Sequence, residues 1–130
     1  MKRLFAFLII IVSLPFAAQA VEDTTVLKAE LQAAMQRHID RSSIDGALPY
    51  MNLATGEIEP LYPTEAHPMI LTMSGGYILC ADLRTSAGEA RLVDFYVADG
   101  GKRFKIIRTE VDNRAPLKAL MSSGKAKRLK

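Results

Sequence analysis

The 130-residue chain contains one cysteine, Cys80, and no tryptophan. A single cysteine excludes a disulfide within the chain, so packing alone must stabilise the fold, even in a compartment that permits disulfides. The sequence also lacks the patterns of common active sites: a glycine-rich phosphate loop, a His-Glu-x-x-His helix, a Cys-x-x-Cys pair and a Gly-x-Ser-x-Gly turn. We therefore favour a non-catalytic protein over an enzyme, and predict no catalytic residue, no cofactor and no resident metal.

The first twenty residues have the composition of a secretory signal peptide. Two basic residues precede an apolar run from Leu4 to Leu14, and small residues follow at Ala18 and Ala20. The apolar run is shorter than the roughly 18 residues that a membrane-spanning helix needs. We expect cleavage after Ala20 and export, to the periplasm in a Gram-negative host and otherwise out of the cell.

Removal of residues 1–20 leaves 110 residues, which is close to the commonest size of one domain. We expect a single α+β domain over residues 21–124, followed by a basic C-terminal tail over residues 125–130. The domain carries 11 basic and 14 acidic residues, so nucleic acid is not an expected partner. We expect the tail to be a solvated, frayed end that can touch anionic lipid weakly, with no transmembrane segment after cleavage.

The spacing of apolar residues changes once along this domain. Val26 to Arg41 contains no glycine or proline and has apolar residues at helical spacing, which predicts a long helix capped within residues 23–25. From Leu48 onward the period is two and turn residues recur, which predicts an antiparallel meander of about four to six strands. The predicted strands are Leu48 to Leu53, Glu57 to Tyr62, Met69 to Met73, Tyr77 to Arg84, Ala90 to Ala98 and Arg103 to Val111.

Three local features refine this prediction. Pro60 and Pro63 make the second strand an edge strand or an irregular one, because proline cannot donate to a ladder. In the last strand the apolar residues change face near Ile106, which predicts a β-bulge. A short final helix is predicted to end at Gly124, with two candidate caps at its start, Asp112 and Asn113.

A long helix followed by an antiparallel meander resembles the element order of cystatin-like folds, including the nuclear-transport-factor-like group. The resemblance covers most of residues 21–130 and rests on element order, with no residue motif. The inhibitory Gln-x-Val-x-Gly loop of true cystatins is absent, since the candidate turn reads Asp99-Gly100-Gly101-Lys102. The resemblance implies one long helix packed on a curved sheet, and it assigns no site residues.

Polar residues on three neighbouring predicted strands form one group of candidate binding residues: Asp82, Asp94, Tyr96, Arg108 and Glu110. Beneath the long helix they would line a pocket, where Asp94 could act as general base and Tyr96 as hydrogen-bond donor in a lyase or isomerase. On the open face of the sheet they would form ordinary cross-strand ion pairs. We favour the open face.

A second group of candidates lies in the segment from Pro60 to Pro68. Its three prolines, with Tyr62 and His67, predict a stiff, exposed recognition loop. His67, Met69 and Met73 project from one strand face, and one imidazole with two thioethers suits copper(I). A periplasmic copper-binding protein is therefore an alternative, although methionine more often fills gaps in a core.

Two further residues have structural explanations. His38 lies on the apolar stripe of the long helix, and we expect it to be half-buried with one satisfied nitrogen, for which a carboxylate on the sheet is a candidate partner. Cys80 lies in the middle of a strand, where cysteine usually behaves as a small buried hydrophobic residue. The function we predict is that of a small exported binding or accessory protein for a periplasmic protein or a small ligand.

Overall fold

The computed structural model describes residues 17–130 and has an α+β fold. Within that range, one long helix and one short C-terminal helix accompany an antiparallel sheet of seven strands. Among the described residues, neither helix combines the length and apolar character needed to cross a membrane. In chain order the elements are α1 (Ala17–Ser42), β1 (Leu48–Asn52), β2 (Glu57–Ala66), β3 (Leu71–Met73), β4 (Gly76–Arg84), β5 (Ala90–Asp99), β6 (Phe104–Val111), α2 (Ala115–Ser122) and β7 (Ala126–Arg128).

The start of α1 differs from the sequence prediction. We expected a cap within residues 23–25, but the helix already includes Ala17. In the uncut chain, carbonyl groups one turn upstream can accept the N–H groups of residues 23–25, so no side-chain cap is needed there. The predicted cleavage motif at Ala18 and Ala20 lies within α1, and residues 1–16 lie outside the described residues. Export and cleavage stay predictions.

One face of the sheet packs against α1 and forms the main core. The apolar stripe of α1 contributes Leu31, Met35 and Ile39, which are at most 2% exposed. β4 and β5 contribute alternate residues, because successive side chains of a strand point to opposite faces. Leu79 lies opposite Phe95 in this ladder, and both are fully buried. β4 and β5 thus have one apolar face towards α1 and one mixed face on the other side, which carries Cys80 and Asp94.

β2 is longer than predicted and takes in most of the expected recognition loop. Residues 57–61 pair with β1 and residues 62–66 pair with β4, with a register shift between Pro63 and Glu65. The prediction of an irregular strand is confirmed. The prediction of a loop is wrong for residues 60–66, because each half of β2 has a different ladder partner and a proline can face the unpaired side.

The predicted bulge in β6 is confirmed. The register of β5 with β6 shifts between Tyr96 and Val97, and Ile107 is the extra residue. Ile107 is 61% exposed, whereas Phe104 and Ile106 before the bulge and Val111 after it all pack against the main core. The bulge therefore keeps apolar residues on the core side along the whole strand.

α2 packs on the opposite face of the sheet from α1. Its Leu117 is buried against Ile78 and Tyr96, which belong to the mixed face of the sheet. The predicted end of α2 is confirmed: Gly124 has a φ of +71°, and the N–H groups of Gly124 and Lys125 donate to carbonyls of the last turn. The sheet thus has a helix on each face.

The predicted caps of α2 are wrong. The carboxylate of Asp112 accepts the backbone N–H of Leu92, and the amide of Asn113 donates to Glu110. Arg114 takes the cap position without a side-chain hydrogen bond to the helix. Both expected caps are therefore engaged in fastening the start of α2 to neighbouring strands.

The basic C-terminal tail is not frayed. Ala126–Arg128 forms β7, which pairs with β3, and Ala126 is buried. The N–H of Leu129 continues this pairing by donating to the carbonyl of Ile70. Alternation along a strand explains how this segment can be ordered despite its charge: Ala126 packs inward, and Lys127 points to the other face. Arg128 shares the face of Ala126 but stays exposed, with its guanidinium at Sδ of Met69.

Candidate functional site

The structure brings Asp94, Tyr96, Arg108 and Glu110 together on the sheet face opposite α1. Asp94 lies opposite Glu110, and Tyr96 lies opposite Arg108, in the β5–β6 ladder. These residues therefore lie on the face that α1 does not cover, which is the face that the sequence analysis favoured. The face is not fully open, however, because α2 and Arg114 cover part of it. Asp94 is 1% exposed and Tyr96 is 6% exposed.

The carboxylate of Asp94 lies between a thiol and a guanidinium. Its Oδ1 accepts the thiol of Cys80 at 3.0 Å, and its Oδ2 lies 3.3 Å from Nε of Arg114. The second contact lacks hydrogen-bond geometry, so it is a charge–charge contact. Burial raises the pKa of the Cys80 thiol to about 12, with further contributions from the hydrogen bond and the charge of Asp94. Cys80 is therefore a buried, protonated donor, and Asp94 has no exposed atom with which to take a substrate proton.

The neighbouring pair on β6 is unevenly exposed, since the Arg108 side chain is 60% exposed and that of Glu110 only 15%. Arg108 forms an ion pair with Glu110, and the amide of Asn113 donates to the same carboxylate at 2.8 Å. The hydrogen bond from Arg108 is the main cause of a lowered pKa of Glu110, and that from Asn113 adds to it. These contacts fix the Arg108 guanidinium at the rim of the face that α2 covers.

Tyr96 is the only tyrosine in this group of candidates, and its hydroxyl lacks a hydrogen-bond partner. The oxygen is buried and has no hydrogen-bond partner among the described residues. Burial raises the pKa of Tyr96, followed by the charges of Asp94 and Glu110. The phenol therefore stays protonated and can donate to an incoming acceptor.

His67 and Asp82 form a separate pair at the end of β2. Nε2 of His67 lies 3.2 Å from Oδ2 of Asp82, and the backbone carbonyl of His67 accepts the amide of Gln32 of α1. Tyr62, opposite Arg84 on β4, is 41% exposed and makes no hydrogen bond or ion pair to these residues within the described chain. The second group of candidates therefore does not form one site.

The residues of the copper hypothesis have other contacts. Met69 and Met73 pack against the apolar cluster beneath α2, and Sδ of Met69 lies 3.2 Å from the guanidinium of Arg128. His67 is engaged by Asp82. Among the side chains that the structure describes, those of residues 23–130, no three His, Cys, Asp or Glu are grouped for metal binding.

A cleft that the sequence did not predict lies on the α1 side, between β1 and β6. The cleft has a volume of about 410 Å³, and its lining contains one histidine but no Asp, Glu, Lys or Arg. We call it the β1–β6 cleft. It is lined by His38, Leu48, Pro49, Tyr50, Met51, Leu53, Thr109 and Val111.

His38 at this cleft contacts the core and not the carboxylate that we expected. Its ring meets Phe95 edge to face, with centroids 6.2 Å apart. Burial lowers the pKa of His38, and the charge of Arg41 lowers it further. The imidazole is therefore neutral at pH 7, with one nitrogen that donates and one that accepts. The sequence contains one signal for this cleft, the position of His38 on the apolar stripe of the helix. The cleft itself depends on how the sheet curves, which a sequence pattern does not reveal.

A second cavity, of about 570 Å³, lies beside α2 on the opposite face. We call it the α2 cavity. It combines two cations with the Tyr96 phenol and an apolar helix surface, and it is lined by Tyr96, Arg108, Pro116, Ala119, Leu120, Ser123 and Lys125.

Comparison with protein-family models, with curated proteins and with solved structures found no match to this chain. Function is therefore argued from the geometry of these two concave surfaces.

Proposed function

We propose that this protein is a small exported, non-catalytic binding protein that holds a small apolar ligand in the β1–β6 cleft. The observation that carries the proposal is the cleft itself, a concave surface with apolar walls and one neutral imidazole. Its volume lies in the range of small-molecule sites, which combine apolar lining with a few polar groups that orient the ligand. The leader sequence supports export.

Exposed apolar side chains at the cleft support ligand binding. Met51 is 48% exposed and Leu53 is 88% exposed, although both could be polar without harm to the core. Isolated exposed apolar residues are ordinary, but here they border a single concavity. A ligand in the cleft would cover them and gain about 25 cal/mol for each Å² of apolar surface removed from water.

The edge of β1 favours a small ligand over an added strand. Pro49 lies opposite Pro60, and since neither has an N–H, the ladder hydrogen bonds of this hairpin must fall on Leu48 and Tyr50. The outward backbone groups of β1 then belong to Pro49 and Met51, of which only Met51 can donate. Proline at an edge blocks strand addition in this way.

The ligand should be uncharged and should carry one hydrogen-bonding atom. His38 is neutral and lies in the cleft with Tyr50 and Thr109, so an oxygen or nitrogen of the ligand can be paired there. A charged ligand would lose its hydration against an apolar lining that offers no ion partner. The lyase or isomerase alternative has less support, because Asp94 is enclosed by Cys80 and Arg114.

A probe-binding experiment tests the cleft. N-phenyl-1-naphthylamine is apolar, uncharged and has one N–H, and its fluorescence rises when it leaves water. We expect saturable binding to the full chain, and a loss of affinity of roughly tenfold or more in Thr109→Phe, because the new ring fills the cleft. Ile107→Phe places the same ring on the same strand but at the exposed bulge, outside the cleft, and we expect unchanged affinity.

Two outcomes contradict the proposal. One is a Thr109→Phe variant that binds the probe as well as the unmodified chain does. The other is equal loss in Thr109→Phe and Ile107→Phe, which would place the probe elsewhere or reflect a general disturbance of β6. Far-ultraviolet circular dichroism of both variants checks that the sheet is intact.

A further inference from the structure

The last eighteen residues carry a strongly one-sided charge. Residues 113–130 contain six basic and no acidic side chains, whereas residues 21–112 contain nine basic and 14 acidic ones. The structure fixes this basic segment in place, because α2 packs on the sheet and β7 pairs with β3. Its cations therefore have defined positions and do not move with a frayed end.

Three of these cations lack an acidic partner and lie toward the α2 side of the sheet. Lys118 and Lys125 are exposed on and just after α2, and Arg128 shares a strand face with buried Ala126. Among the side chains of residues 23–130, no carboxylate lies within 4 Å of any of the three. By contrast, Arg91 on β5 has three carboxylates in that range. The C-terminal cations are thus left available for an outside anion.

The α2 cavity lies among these cations. Arg108 and Lys125 line it, and so does Tyr96, whose buried hydroxyl has no partner among the described residues. The carbonyls at the end of α2 do not oppose an anion there, because those of Leu120 and Met121 accept the N–H groups of Lys125 and Gly124. The cavity offers a ligand oxygen two positive groups, of which Arg108 is also paired with Glu110, and one hydroxyl donor.

The same surface has an apolar component. Met121 of α2 is 47% exposed, and Leu120 and Pro116 line the cavity. A soluble polyanion offers charge alone, whereas a membrane surface offers anionic headgroups above an apolar layer. Basic residues beside exposed apolar side chains are typical of helices that lie on such surfaces.

We propose that the α2 face binds an anionic phospholipid surface, with a headgroup phosphate in the α2 cavity between Arg108 and Lys125 and the Tyr96 hydroxyl as a further donor. Lys118 and Arg128 contact neighbouring headgroups. This interaction uses the face opposite the β1–β6 cleft and does not depend on the ligand proposed for that cleft.

Vesicle co-sedimentation of the full chain tests this proposal. Vesicles of phosphatidylcholine alone are compared with vesicles containing one-third phosphatidylglycerol, at low and at high salt. The apolar run near the N-terminus partitions into both kinds of vesicle, and Lys2 and Arg3 beside it add a preference for anionic lipid that every variant shares. The readout is therefore the change in the preference between variants. We expect a clear preference that salt weakens, because salt screens charge.

Matched charge variants localise the effect. Lys118→Gln, Lys125→Gln and Arg128→Gln together should reduce the preference roughly 100-fold, since one cation near an anionic surface is worth about fivefold. The control triple, Arg37→Gln, Lys102→Gln and Arg103→Gln, removes the same charge from the opposite face and should retain the preference. Equal loss in both triples would reduce the effect to net charge and overturn the proposal.

Two more outcomes overturn it. One is binding to heparin, a soluble polyanion, without any preference for anionic vesicles. The other is a Tyr96→Phe variant with unchanged preference for phosphatidylglycerol, which would remove the phosphate from the α2 cavity. Tyr96→Phe should keep the fold, because it deletes an unsatisfied buried hydroxyl, so loss of lipid binding with undiminished stability supports the site.

Discussion

The contact between Arg114 and Asp94 gives the sharpest prediction for stability. Asp94 is 1% exposed, and Arg114 is the only cation in contact with its carboxylate among the described residues. In Arg114→Leu the carboxylate would keep only the thiol of Cys80, a weak donor. Removing one partner of a buried ion pair costs about 3–5 kcal/mol, because an uncompensated charge stays buried.

The exposure of Arg114 sets the expected value within that range. Its side chain is 29% exposed, so water reaches the region once the guanidinium is gone. We therefore expect a loss of about 3 kcal/mol, a large part of the 5–15 kcal/mol that stabilises a typical domain. The reverse change, Asp94→Asn, leaves an arginine that can turn to water, and it should cost less.

Urea unfolding followed by far-ultraviolet circular dichroism measures this difference. With a slope of about 1.5 kcal/mol per molar urea, Arg114→Leu should lower the midpoint by about 2 M. Arg103→Leu removes an exposed cation and should change stability by no more than about 0.5 kcal/mol. The double variant Asp94→Asn with Arg114→Leu should recover much of the loss, since neither charge then remains.

The reasoning fails if Arg114→Leu costs less than Asp94→Asn. It also fails if the double variant is no more stable than Arg114→Leu. In either case the carboxylate would not depend on the guanidinium, and the contact at 3.3 Å would be incidental.

Three further predictions follow from other residues. The pKa of Cys80 is raised to about 12, so its thiol should react with Ellman's reagent roughly a thousandfold more slowly in the folded than in the urea-unfolded chain. The contribution of this thiol to stability should be lost as the pH rises above its ordinary pKa of 9.0 toward 12. The lowered pKa of His38 should make stability fall as pH drops below 6.5, and His38→Gln should flatten that part of the urea-midpoint profile. Gly76→Ala should lower the thermal midpoint more than Gly75→Ala, because the Cβ at position 76 would clash with the carbonyl oxygen of Val97, a backbone atom that cannot easily move. The Cβ at position 75 meets open space, so Gly75→Ala carries only the strain of a side chain at a φ of +74°.

Local patterns predicted the elements of this fold well. The helical spacing around Leu31 and Met35 and the alternation along β4 and β5 give the faces that the structure shows. The change of apolar phase at Ile106 predicted the bulge of β6. Each of these features follows from the geometry of one element, so a single sequence contains enough information to find it.

The layers on the mixed face could not be predicted in the same way. Leu117 and Leu120 show that α2 has an apolar side, but eight residues do not reveal which surface receives it. β7 is three residues with two cations, a composition that favours a solvated end, and only its partner β3 makes it a strand. The β1–β6 cleft depends on how far the sheet curves, which no local pattern records.

The C-terminal segment explains why the polar candidates on β4 to β6 are neither a solvent-exposed ion-pair array nor an open catalytic pocket. Without α2, Asp94 and Tyr96 would face water and their polar groups would be solvated. By covering them, α2 makes Cys80 and Arg114 necessary partners for Asp94, and it leaves the Tyr96 hydroxyl without one. An unsatisfied buried donor costs stability, and the headgroup phosphate proposed between Arg108 and Lys125 would supply the missing acceptor.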